Sequence, residues 1–200
     1  MVLRATLWLP VLLTVGLCGC NPVHTAVKLG MHVVGQVVDD EETNKLGQQL
    51  MGKSPADADA TLGKRLDVLR DVHSPREWLV YPVKLDVLGS KRYVVEVSQN
   101  QIVGVQMVVR NSGETDIPLK LYYEAKAKGK APQECEAALG LGPPMLTVRS
   151  LTTGQLGQVY DARLVKELPK PHYCVLKFDS GGLCTQVDLV EVAATANSGP

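Results

Sequence analysis

The chain is poor in aromatic residues: they make up 4% of its 200 positions, and only one is phenylalanine. Val and Leu must therefore build most of the core, a composition that favours β structure. There is no surplus of charge either, because 21 basic residues balance 21 acidic ones. A nucleic-acid binder needs an excess of Lys and Arg to displace counterions from phosphates. The two signs are also mixed along the sequence, so nucleic acid is excluded as a partner. No Cys-x-x-Cys pair occurs, and His24, His32, His73 and His172 stand at no metal-ligand spacing from the cysteines. His172 and Cys174 would share a strand face with no further ligand near. Neither Gly-x-Ser-x-Gly nor Ser-x-x-Lys appears, and Asp57 and Asp59, two apart on a helix, do not face each other. No catalytic residue, metal or cofactor is expected.

What is present begins at the amino terminus. Arg4 precedes an apolar run from Ala5 to Leu17, the order of a secretion signal. The run is too short to span a bilayer stably, which takes about 20 apolar residues. It ends in Leu17-Cys18-Gly19-Cys20, which resembles the lipobox of bacterial lipoproteins. That resemblance implies cleavage after Gly19 and acylation of Cys20, and several acyl chains hold a protein stably at a membrane. Asn21 after the cysteine implies sorting to the outer membrane by the proteobacterial rule. Residues 1–19 are thus expected to be a lipoprotein signal peptide, and 20–40 a tether or membrane-proximal helix. Of the other cysteines, Cys135, Cys174 and Cys184 remain in the mature chain. In an oxidising compartment they allow one disulfide and one leftover thiol.

The sequence also matches itself. Gly52–Gly63 and Gly129–Gly140, 77 residues apart, share Gly, Lys, Pro, Ala, Leu and Gly, and acids fall on acids. Ser54 is a good N-cap, Pro55 suits the first helical position, Asp57 sits where a capping-box acid would, and Gly63 is a natural stop. Pro55–Leu62 and Pro132–Leu139 are therefore expected to be paired short helices, with Cys135 a small core residue. Longer helices are expected before them, over Glu41–Met51 and Leu119–Lys128. Strand patterns follow each: Trp78–Val83, Arg92–Ser98 and Ile102–Val109, then Gln158–Val165, Tyr173–Phe178 and Leu183–Val190. Asn100-Gln101 and Ser180-Gly181-Gly182 turn the hairpins. Alternation puts Leu176, Phe178 and Leu183 on one core face. The expected fold is α+β: two tandem units of two helices and a three-stranded antiparallel meander. The first covers 41–111 and the second 112–194, joined near Asn111-Ser112-Gly113, with a disordered tail at 195–200.

This order behind a lipobox resembles the SmpA/OmlA/BamE family of small outer-membrane lipoproteins. The matching residues are Gly52-Lys53-Ser54, Asp57, Leu62-Gly63-Lys64, Trp78-Leu79-Val80-Tyr81 and Ile102-Val103, within about residues 45–109. Tyr160 is the nearest counterpart in the second half. Two copies in tandem are similar to the architecture of β-lactamase inhibitor proteins. The resemblance implies a lipid-anchored, non-catalytic envelope protein that contacts another envelope protein, in outer-membrane protein assembly or envelope stability. The alternatives are an inhibitor of a periplasmic enzyme, or a small-molecule sensor with its site between the halves.

Trp78 and Tyr81 are the candidate partner contacts, since aromatics are enriched at binding hot spots. Three apart on a strand, they point to opposite faces, so one of them belongs to the core. Gly47 to Ser54 also satisfies the spelling of a Walker phosphate loop. A true one follows a buried strand and opens a long helix, whereas the acidic run Asp39–Glu42 precedes this one and a short helix follows. No nucleotide is expected.

Overall fold

The structure, a computed structural model, describes residues 39–84, 86, 89–111, 116–162 and 172–197. The signal peptide, Cys20, most of the tether, Ser112-Gly113 and the last three residues lie outside them, as does the 163–165 end of one expected strand.

In chain order the elements are α1 (residues 39–50), α2 (Pro55–Leu62), β1 (Asp67–Asp71), β2 (Glu77–Pro82), β3 (Lys91–Ser98) and β4 (Gln101–Arg110). Then come α3 (Asp116–Ala127), α4 (Pro132–Leu139), β5 (Leu146–Ser150), β6 (Leu156–Asp161), β7 (His172–Phe178) and β8 (Cys184–Asn197). The short helices start as their residues dictate. Asp57 accepts from the Ser54 N–H at 2.9 Å and from its hydroxyl at 2.7 Å. In α4, where Ala131 has no side chain for capping, Glu134 still accepts the Ala131 N–H at 3.0 Å.

Two separate units with three strands each do not form. Each half has four strands, and all eight antiparallel strands close into one barrel in the order β1-β2-β3-β4-β8-β7-β6-β5. The two strands that the sequence patterns do not reveal, β1 and β5, have five residues each, and β1 carries charges (Asp67-Val-Leu-Arg-Asp71) that blur alternation. The closing pairs, β4 with β8 and β1 with β5, join residues far apart in sequence, which local periodicity does not report. Two details also shift. Gln99 and Asn100, both at positive φ, form the first hairpin turn, the backbone of a type I′ turn, and Gln101 is already in β4. Leu183 is 43% exposed, and Cys184 takes the core position opposite Phe178.

The core is in two parts. Leu46 and Leu50 of α1 and Ala58 of α2 pack on Leu79, Tyr81, Val95 and Val105. Tyr123 and Ala127 of α3 and Cys135 of α4 pack on Tyr160, Leu176, Phe178 and Leu189. An eight-stranded barrel has room inside for side chains or one small ligand, never for four helices. The helices therefore cover its outer wall, and the alternate residues face inward.

The repeated Gly-Lys turn is where each helix pair is fastened to the sheet. Gly52 N–H donates to the Ile102 carbonyl at 2.9 Å, and Ile102 N–H returns a bond to the Lys53 carbonyl at 2.8 Å. In the second half Gly129 and Lys130 make the same pair with Cys184, at 2.8 and 2.9 Å. Gly47 acts differently. A Cβ there would lie 2.3 Å from the Cβ of Ala196, so α1 can lie on β8 only because position 47 is glycine.

Candidate interaction surface

Tyr81 is fully buried, and its hydroxyl donates to Asp59 Oδ1 at 2.8 Å. Asp59 also takes the Arg65 guanidinium, Nε at 2.6 Å, and that contact holds its carboxyl below the usual range. Burial pushes the Tyr81 hydroxyl well up. Tyr81 is thus the core member of the aromatic pair and offers no surface to a partner. Trp78 points the other way, half-buried on the inner wall beside Leu69 and Glu96.

The outer surface that stands apart is on α3. A shift of 77 residues lays α1 on α3 position for position. Their inward residues correspond, Leu46 and Leu50 to Tyr123 and Ala127. The outward ones differ in kind. Where α1 exposes Asp40, Asn44, Lys45 and Gln48, α3 exposes Ile117, Leu121, Tyr122 and Ala125. Ile117, Leu121 and Tyr122 are each more than half exposed. Beside them a groove of about 470 Å³ opens between α3 and α4, lined by Leu119, Tyr122, Tyr123, Lys126 and Leu139. Lys126 lies over the Tyr122 ring, 4.4 Å from its centroid, a cation–π contact. Exposed Lys128 follows just beyond the helix end. Sequence reasoning overlooked this face. The signal was available once α1 and α3 were aligned, as polar residues exchanged for apolar ones at outward positions.

Cys135, Cys174 and Cys184 are free thiols in the second core. Burial pushes Cys174 and Cys184 up to about 12, so neither is a thiolate nucleophile at neutral pH. Among the described residues, no three His, Cys, Asp or Glu side chains are grouped to hold a metal ion, and no helix is long and apolar enough to cross a membrane. The phosphate-loop spelling dissolves into its parts, with Gly47 making room for Ala196 and Gly52-Lys53 pinned to Ile102. Comparison with known protein-family profiles, with curated proteins and with solved structures gives no match to this chain.

Proposed function

We propose that the chain is a lipid-anchored, non-catalytic protein of the cell envelope. In this reading it is held at the outer membrane through Cys20 and faces the periplasm. It binds another envelope protein through the outward face of α3. One observation carries the reading: α3 presents apolar side chains at the positions where α1 presents polar ones. Exposed apolar patches of this kind, rimmed by charge, mark interaction sites. A fitting partner offers an apolar ridge to the groove and acids to Lys126 and Lys128. The lipobox spelling at Leu17–Cys20 supports the anchor. The short motifs shared with the SmpA/OmlA/BamE family support a place in outer-membrane protein assembly or envelope stability, although the closed barrel departs from the fold that resemblance implied.

The test is capture of the native protein from crosslinked membranes. The expected result is reproducible recovery of one envelope protein, lowered about tenfold by Leu121→Ser with Tyr122→Ser. Cys20→Ala should release the chain from the membrane fraction. Recovery unchanged by the α3 substitutions would sink the assignment of this face.

A further inference from the structure

Two of the buried thiols meet where the second helix pair is fastened to the sheet. Cys135 stands near the start of α4, and its sulfur lies 3.4 Å from the Ala127 carbonyl and 3.6 Å from that of Lys130. The same Lys130 oxygen accepts the Cys184 N–H at 2.9 Å, at the start of β8. The Cys135 and Cys184 thiols are within hydrogen-bond reach of each other. Both residues are closed to solvent.

The first half has no sulfur here. By the 77-residue shift Cys135 corresponds to Ala58, and by the paired bonds of the Gly-Lys turn Cys184 corresponds to Ile102. Both counterparts are buried in the first core. A core position needs no sulfur, yet the second half has exchanged both residues for cysteine. Cys174 stands apart from Cys184. On β7 it lies four residues from Phe178, the residue opposite Cys184. At about 3.3 Å per residue that is about 13 Å, well past the Cα separation of about 7 Å that a disulfide tolerates.

We propose that Cys135 and Cys184 are a disulfide-forming pair that ties α4 to β8, with Cys174 left as the free thiol. The bond takes two protons and two electrons from the thiols, and the acceptor is a small disulfide such as glutathione disulfide. One cysteine thiolate attacks it and releases a glutathione thiolate. The other then attacks the protein sulfur of the mixed disulfide and releases the second, and both glutathiones leave as thiols carrying the two protons. Burial suppresses the protein thiolates, so the exchange belongs to the chain before α4 is seated. The tie closes a loop of about fifty residues, which restricts the unfolded chain. It also holds α4 in place, and Leu139 of α4 walls the groove beside α3. The pairing itself depends neither on the α3 assignment nor on the anchor.

The full chain carrying Cys18→Ala and Cys20→Ala keeps only these three cysteines. It is refolded from urea in mixtures of reduced and oxidised glutathione, quenched in acid, alkylated and mapped by mass spectrometry. The expected product takes up one alkyl group, on Cys174, and yields two peptides joined through Cys135 and Cys184. Cys174→Ala should keep that bond and leave no thiol to alkylate. Cys135→Ala, which matches the first half at this position, should leave both remaining cysteines alkylated. Adding reductant should lower the melting temperature of the oxidised protein by several degrees and leave that of the Cys135→Ala chain unchanged. If Cys135→Ala fails to fold, Cys184→Ala takes its place. Three alkylated cysteines at every glutathione ratio overturn the proposal, as does a disulfide that includes Cys174 or a melting temperature indifferent to reductant.

Discussion

The Tyr81 hydroxyl reaches out of the β2 strand to Asp59 in the short helix above it, and the Tyr160 hydroxyl in β6 lies 3.1 Å from Glu136 of its covering helix and 2.7 Å from Gln158 in its own strand. In both halves the hydroxyl of a buried strand tyrosine meets an acid of the helix that covers it. Phe in place of Tyr81 keeps the packing and removes only the hydroxyl. The expected loss is about 1 kcal/mol of folding stability, with a similar loss for Tyr160→Phe. Urea unfolding of both variants checks this, and a negligible effect in either would show that the bond adds nothing in that half.

Gly47 is set against Ala196 with no space for a side chain. Alanine is the better helix former by about 1 kcal/mol, but forcing a methyl into this contact costs about 1–3 kcal/mol. Gly47→Ala is therefore expected to lower stability in the natural background. In an Ala196→Gly background the same change should be neutral or stabilising. A double-mutant cycle with no coupling between the two positions would contradict the close approach.

Asp188 is 2% exposed. Burial works to raise its pKa, yet the Lys177 charge and the bonds from Asn111 and Gln186 outweigh burial and hold it below the ordinary value of 3.8. A carboxyl depressed on folding contributes stability that is present above its unfolded pKa and lost as pH falls through the folded one. Stability should thus decline below about pH 4. Asp188→Asn should flatten that decline and lower stability near neutrality, because Lys177 loses its partner. Thermal melts from neutral pH into the acid range measure both effects. An unchanged acid slope in the variant would mean that Asp188 does not govern the decline.

The β3–β4 turn holds Gln99 at φ 50 and Asn100 at φ 62. Left-handed backbone costs a glutamine about 1 kcal/mol, and Asn-Gly is the favoured pair for this turn. Gln99→Asn with Asn100→Gly should raise the melting temperature by several degrees, a gain of about 1 kcal/mol. A fall in melting temperature would mean that Gln99 makes a compensating contact.

The sequence carries its local structure openly. Ser54, Pro55 and Gly63 mark a helix, and it lies between them. The repeated Gly-Lys-x-Pro marks its counterpart, and the expected strands differ from the observed ones mostly at their ends. Closure was not legible. Nothing in Asp67–Asp71 says that it pairs with residues near 150 as well as with β2. The length of β8 was also hidden. Its small residues Ala194 and Ala196 lie beyond the expected strand end at Val190 and run into the expected tail, yet they pair with Met107 and Val105 of β4. Of the two aromatic site candidates, alternation correctly set them on opposite faces. It could not say which face was inward, since that depends on helices being present on one side only.

That long shared strand also orders events in time. Synthesis delivers β1 through β4 first, with the free edge of β4 bearing unpaired amides from Gly104 to Arg110 until β8 arrives. The first half of the protein is thus the last to be finished, capped by residues made some ninety positions later. A chain stalled before residue 190 would present that strand edge to its neighbours, a template for aggregation. The edge is covered only once Val190–Asn197 are in place.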